Sequence, residues 1–326
     1  MASIVFIHNL SKEDQDAWLS LFKTLLPNET IVLPESLTDE QAQHIDLAIV
    51  ANPDVKVLTR FTNLVWVQSL WAGVEAIVES FRAFNDTPNG NKNKKIQGVK
   101  LVRLIDPQLA HTMAEAVLAW TLYLHRNIPE YAAQQRQKIW QQISCPTAHN
   151  VRVSVLGAGE LGICAMQTLV QQSYQVNSWS RTAKNINKVT HFFGEEGLIN
   201  LLENTDILVC LLPLTKQTRG LLNARLFRCL PKGAKFINFA RGGIANYSDL
   251  VTVLDEGHLS HAVLDVFEQE PLKTSSSLWE HPKVSVLPHI SAMTNRETAS
   301  QVIANNIVRF RQDGSIPQSV DLERGY

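Results

Sequence analysis

Three segments of the chain carry residue types that could move protons and hold small anions. Phe236–Gly243 (FINFARGG) delivers Arg241 just beyond an apolar run. A guanidinium there can hold a carboxylate and a carbonyl oxygen together, because its donors form a planar fork. Val263–Leu272 (VLDVFEQEPL) places Asp265 and Glu270 at and beyond a second apolar run, and Val284–Ser291 (VSVLPHIS) places His289 after a third run and a proline. Imidazole is the side chain best suited to give or take a proton near neutral pH. Each segment also has a plain structural reading. A histidine after a strand is often a packing residue, and an Arg–Glu pair is commonly a surface salt bridge. Their shared placement favours chemistry, since open α/β sheets bind ligands outside the carboxyl ends of their strands.

A fourth segment says which kind of sheet this is. Val153–Leu156 is an apolar run that enters Gly157-Ala158-Gly159-Glu160-Leu161-Gly162, followed by the helical pattern Ile163–Val170. In this strand–turn–helix setting G-x-G-x-x-G is a dinucleotide-binding signature. Gly157 permits the tight turn, Gly159 lets the backbone approach a pyrophosphate, and Gly162 lets helix and strand pack closely. The helix start, with Glu160 and Leu161, offers free N–H groups to the phosphates. The next strand ends Trp179-Ser180-Arg181-Thr182. Ser180 stands where an NAD-preferring fold places an acid for the ribose 2′-OH, and a guanidinium follows at once. Ser180, Arg181 and Thr182 therefore point to a 2′-phosphate, with NADP(H) expected and NAD(H) less favoured. Arg181 as a solvated surface residue is the alternative, and the missing acid would weaken NAD preference even then.

Elements that could position these residues follow from periodicity. Strands are expected at Ile4–Ile7, Leu47–Val50 and Val65–Gln68, with an amphipathic helix over Lys12–Leu26. A long apolar helix spans 107–126, and a Gln-rich connector covers Gln134–Asn150. Six further strands are expected at Val151–Leu156, Gln175–Trp179, Ile207–Leu212, Lys235–Asn238, Ala262–Leu264 and Val284–Leu287. Alternating strands and helices imply α/β architecture with a parallel sheet. The last helix, about Arg296–Phe310, has no strand after it and is expected to return to the first domain. The polar stretch 84–99, with its Lys92–Lys95 cluster, reads as a solvated loop.

Bulk properties narrow the function classes. The 326 residues allow about two domains, and 45% hydrophobic against 19% charged residues is enough for a core. With a formal net charge of −1, the basic excess of a nucleic-acid binder is missing. The four cysteines form no Cys-x-x-Cys pair, so neither a metal site nor a disulfide framework is expected. The N-terminus has no basic leader pattern, and no apolar run approaches a membrane span. A cytoplasmic protein without membrane or nucleic-acid partners is the expectation.

These motifs, in this order, resemble the D-isomer-specific 2-hydroxyacid dehydrogenases, from Leu64 onward and most densely over Val151–His289. The resemblance implies a doubly wound, parallel-sheet (Rossmann) nucleotide domain, residues 104–290. It also implies a smaller flavodoxin-like α/β substrate domain, residues 1–103 and 291–326. It implies reduction of a small 2-keto acid, for which the 2′-phosphate reading makes NADPH the expected hydride source, and the apolar 107–126 helix points to a homodimer. Arg241, Glu270 and His289 become the catalytic set: His289 the general acid, Glu270 its partner, Arg241 the carbonyl and carboxylate anchor. Leu212, Pro213, Thr218 and Ala240 fall on the cofactor's ribose and nicotinamide side, and Asp265 on the nicotinamide carboxamide. Trp71, Ala72, Gly73 and Val74 match the family's substrate loop. Trp71 stands where a glycine is frequent and Glu75 where aspartate is frequent. Trp71 either narrows the pocket toward two- and three-carbon acids or packs a core, and both readings stay open. Trp140 is either a connector residue or one sent toward a partner subunit. A different 2-hydroxyacid specificity, or a non-catalytic dinucleotide sensor of the same fold, are the competing functions.

Overall fold

The computed structural model describes residues 2–85 and 98–325, and it divides into two compact units. Unit 1 is Met1–Gln108 with Thr294–Tyr326, and unit 2 is Leu109–Met293. The Lys92–Lys95 cluster and most of the 84–99 stretch lie outside the described residues.

Unit 1 runs β1 (Ala2–His8), α1 (Lys12–Leu25), β2 (Glu29–Val32), α2 (Asp39–Ala42), β3 (Leu47–Ala51), α3 (Val55–Leu58), β4 (Trp66–Ser69), α4 (Glu75–Asn85) and β5 (Lys100–Val102). All its strand pairs are parallel, in the order β2-β1-β3-β4-β5. That is the doubly wound order of flavodoxin-like sheets. Every residue of β3 is buried, as a central strand covered on both faces requires. Helix α1 is capped by Ser11, whose side chain accepts from Asp14 N–H, and it buries Trp18 and Phe22. The chain returns to unit 1 as α11 (Arg296–Asp313), capped by Asn295 and ended by Gly314 at φ 75°. Its Ala299, Ile303, Ala304 and Ile307 join Trp18, Phe22 and Trp66 in one core cluster. Arg311 on α11 pairs with Glu29 at 2.9 Å and also with Asp46.

Unit 2 begins in α5 (Pro107–His125), followed by α6 (Ile128–Gln137), which ends inside the stretch expected to be a connector. Then come β6 (Arg152–Leu156), α7 (Glu160–Gln171), β7 (Gln175–Ser180), β8 (Thr190–Phe193), α8 (Gly194–Glu203), β9 (Ile207–Cys210), α9 (Ala224–Cys229), β10 (Ala234–Asn238), α10 (Tyr247–Asp255), β11 (Leu259–Leu264) and β12 (Val284–Val286). The sheet order is β12-β11-β10-β9-β6-β7-β8, again all parallel. This is the doubly wound dinucleotide order, extended by one strand. Side chains alternate cleanly between two cores. Val153, Val155, Val209, Ile237 and Val263 face the α5–α7 side, while Leu156, Leu208, Phe236 and Leu264 face the other. Each fully buried Val or Leu stabilises the fold by roughly 1.5–3 kcal/mol. Helix α5 buries Met113, Ala114, Val117 and Leu124 in the first of these cores.

Three strands escape the periodicity argument. β2 is only partly buried, β5 has three residues, and β8 (Thr-His-Phe-Phe) is a partly exposed edge. An edge strand meets the core on few positions, so no apolar run marks it. Unit 2 therefore has seven strands and not the expected six. Among the described residues, no helix is long and apolar enough to cross a membrane, and all four cysteines are free.

Candidate active site

The phosphate turn forms as its spacing demands. Gly157 has φ +110°, and a Cβ on it would lie 2.6 Å from Leu211 O. A Cβ on Gly162 would lie 1.9 Å from Gly157 O, so α7 can start this close to β6 only with glycine there. Gly159, the N-cap of α7, faces open space within 4 Å. Glu160 and Leu161 open the helix. The turn thus has two glycines closed by packing and one left approachable from outside.

The end of β7 lies beside this turn. Gly157 N–H donates to Trp179 O at 2.9 Å. No carboxylate stands at Ser180, Arg181 or Thr182. Ser180 Oγ donates to Thr182 O at 2.8 Å, so the hydroxyl shapes the turn from within. Lys184 Nζ donates to Ala158 O at 2.6 Å, which fixes a second cation against the glycine turn. Sequence reasoning missed Lys184, since an exposed lysine after a strand carries no signal of its own.

At the carboxyl end of β10, Asn238 is fully buried and organises the bend. Its Nδ2 donates to Arg241 O at 3.2 Å and to Tyr247 Oη at 2.9 Å, while its Oδ1 accepts from Ala240 N–H at 3.2 Å. Arg241 Nη1 donates to Ala240 O at 2.7 Å. A Cβ on Gly242 would lie 2.1 Å from the Phe267 carbonyl carbon, so the Arg241 bend presses on the segment leading to Glu270. The expected contacts at Leu212, Pro213 and Thr218 lie in the loop after β9. Leu212 is buried there, and Thr218 Oγ1 donates to Pro213 O at 2.7 Å, closing that loop on itself. Gly220 N–H then fastens it to Gly243 O at 2.9 Å. Asn238 is a second residue the sequence reading passed over, although a polar side chain in Phe-Ile-Asn-Phe was a visible anomaly.

The ends of β11 and β12 come together most tightly. Glu270 Oε1 accepts from Phe267 N–H at 2.8 Å, and its Oε2 lies 2.8 Å from His289 Nδ1. A proton on Nδ1 satisfies that contact, which leaves Nε2 for other chemistry. The imidazole is about half exposed, at 48%. His289 sits at φ 56°, a conformation costly for a non-glycine residue. Asp265, only 1% exposed, holds it there. Its carbonyl accepts from His289 N–H at 2.9 Å, and its carboxylate accepts from Ile290 N–H at 2.7 Å and Ser291 N–H at 2.9 Å. Both oxygens of the carboxylate expected to face a carboxamide therefore already receive backbone donors.

Trp71, Ala72, Gly73 and Val74 belong to unit 1 and follow β4. Trp71 N–H donates to Ser69 Oγ at 3.0 Å, and its ring meets Trp18 edge-on at 6.5 Å. Val74 is buried, whereas Ala72 and Gly73 are partly exposed. Within unit 1, Trp71 packs against the core cluster of Trp18 and Phe22.

A doubly wound sheet with a glycine turn at its first strand, and a His–carboxylate pair at its far strand ends, define a dinucleotide-binding α/β protein. The chain belongs to the D-isomer-specific 2-hydroxyacid dehydrogenase family, whose NAD-binding-domain model matches residues 118–291. It is 37% identical to glyoxylate/hydroxypyruvate reductase A of Yersinia enterocolitica, covering 99% of this chain and 100% of that one. A D-isomer-specific 2-hydroxyacid dehydrogenase from Xanthobacter autotrophicus, solved with NADPH and MES, is 35% identical with a TM-score of 0.89, covering 100% and 99% of the two chains. An NADPH-dependent glyoxylate/hydroxypyruvate reductase from Sinorhizobium meliloti, solved with NADP and sulfate, is 31% identical with a TM-score of 0.85, covering 100% of both.

Proposed function

We propose that the chain is an NADPH-dependent reductase of small 2-keto acids, taking glyoxylate to glycolate and hydroxypyruvate to D-glycerate. The observation that carries this reading is the 2.8 Å contact between Glu270 and His289 at the carboxyl ends of adjacent strands of a dinucleotide sheet. The activity named for the Yersinia and Sinorhizobium relatives is one such a pair suits.

The residues fit the cofactor. Gly159 is open where a pyrophosphate must approach, whereas its two companions are closed by packing. Gly157, Gly159, Glu160, Leu161 and Gly162 hold the pyrophosphate in this proposal. Arg181 and Lys184, with Ser180 and Thr182 shaping the turn, hold the 2′-phosphate. Leu212, Pro213, Thr218 and Ala240 border the nicotinamide half. When bound, reduced nicotinamide supplies the hydride that the 2-keto carbon receives. Arg241 draws charge onto the carbonyl oxygen and anchors the substrate carboxylate. His289 delivers a proton from Nε2 to that oxygen. Glu270 fixes the ring's orientation and tautomer, and Asp265 fixes the backbone beneath it. Trp71, Ala72, Gly73 and Val74 take the substrate carboxylate through backbone N–H groups, as the family resemblance implies. Unit 2 is the nucleotide domain of this reading and unit 1 the substrate domain.

A homodimer is part of the same proposal. Leu122, Ile128 and Ile139 are 40–45% exposed and Trp140 is 99% exposed, an apolar set on and beyond α5 and α6. Light scattering on wild type and Trp140→Ala tests it, and a monomeric wild type would end it. Free cysteines suit a reducing compartment, and the cytoplasm is the one we assign.

The deciding assay follows oxidation of NADPH and NADH with glyoxylate, hydroxypyruvate and pyruvate. Turnover of the first two with NADPH is expected. Tight NADPH binding without turnover of any acid would convert the protein into a sensor.

A further inference from the structure

One of the strands that escaped the periodicity argument, β8, carries a histidine at the back of the 2′-phosphate turn. Parallel pairing sets His191 beside Ser178 of β7. His191 Nδ1 lies 2.7 Å from Ser178 Oγ, and Ser178 is fully buried. Across the ring, Nε2 lies 3.1 Å from Ser180 Oγ and 3.2 Å from Thr182 O. Ser180 Oγ itself donates to Thr182 O. One tautomer satisfies all of these contacts: Ser178 donates to Nδ1, and Nε2–H donates into the turn.

We propose that His191 is a positioning residue for cofactor selection, bracing the Ser180–Thr182 turn so that it accepts a 2′-phosphate. This assignment rests on the NADPH reading above and extends it. Its physical basis is the Thr182 carbonyl. A carbonyl oxygen is an acceptor only, and it repels a phosphate dianion that approaches it. His191 and Ser180 together hold that oxygen inside the turn. Arg181 and the Ala158-tethered Lys184 are then the groups the turn offers to the anion. A ribose 2′-OH can donate as well as accept, so it tolerates a released carbonyl that a phosphate does not. Loss of the ring should therefore weaken NADPH binding and spare NADH.

The test is calorimetric titration of NADPH and NADH into wild type, His191→Ala and His191→Gln, with steady-state kinetics beside it. His191→Ala is expected to weaken NADPH binding about tenfold, the scale of one well-placed hydrogen bond, with NADH affinity and kcat at saturating NADPH unchanged. His191→Gln, whose amide N–H can reach the same carbonyl, is expected to keep most of the NADPH/NADH ratio. The ratio is internal to each preparation, so a partly unfolded fraction cancels from it. Equal losses for both cofactors, an unchanged NADPH affinity, or a ratio as low in His191→Gln as in His191→Ala would each overturn the assignment. A wild type that binds both cofactors equally defeats the NADPH reading and this assignment with it. A wild-type preference that survives in His191→Ala defeats only the assignment.

Discussion

Two histidines of the unit 2 sheet meet opposite fates. His289, beyond β12, is half exposed and held by Glu270 at 2.8 Å. His261, within β11, is 5% exposed, and its Nε2 lies 3.0 Å from Ser285 Oγ. Burial pushes the His261 imidazole down to about 4, and the positive charges of Lys235 and His281 push the same way. It is a neutral packing residue through the physiological range. The same side chain thus serves as structure where water is excluded and cations surround it. At His289 it instead meets a carboxylate and solvent. A third, His281, pairs with Asp255 at 3.2 Å, but that carboxylate is 69% exposed. Contact with an acid alone does not make a candidate site; a place at the sheet's carboxyl end is what singles out His289.

The comparison breaks most decisively at His289. His289→Ala should lower kcat by about 10²–10⁴-fold while the melting temperature stays close to wild type; an undiminished kcat in the folded variant would remove it from the mechanism. Glu270→Gln retains the shape and loses the charge. It should lower kcat by about 10²-fold, the scale of a misplaced reacting group, read by steady-state kinetics with little change in KM for NADPH.

His261 should answer to pH through stability and not through turnover. Its folded affinity for a proton is depressed, so between pH 6.5 and about 4 the unfolded chain binds a proton that the native chain refuses. Stability therefore falls as pH drops through that window and, for this group, is flat above it. The full interval corresponds to roughly 3 kcal/mol. Urea unfolding across pH 4.5–7 should show His261→Gln losing less stability than wild type, and identical slopes would contradict the neutral assignment. The smallest effect belongs to the exposed pair. Asp255→Ala should cost under about 1 kcal/mol and leave kcat unchanged, which denaturation and rate measurements together can check.

Much of the candidate site was legible because its pieces are local. Gly157, Gly159 and Gly162 announce themselves through spacing against an apolar strand, and Arg241, Glu270 and His289 each follow a buried run. What each residue touches was not legible. Thr218 bonds its own loop at Pro213 O. Asp265 receives the backbone of residues 290 and 291. Ser180 is bound by Thr182 and His191. The Asp265 and His191 partnerships depend on which strand lies beside which, and periodicity along one segment does not contain that.

By itself the sequence determined the alternation of strands and helices, the phosphate turn and the order of the candidate catalytic groups, because apolar spacing and glycine sterics act over a few residues. Only the tertiary structure decided which histidine is buried and which stands half exposed against a carboxylate, and that an edge strand sets His191 against Ser178, Ser180 and Thr182. Solvent exclusion and cross-strand contact are set by residues on different strands, and they exist only once the sheet has closed its order.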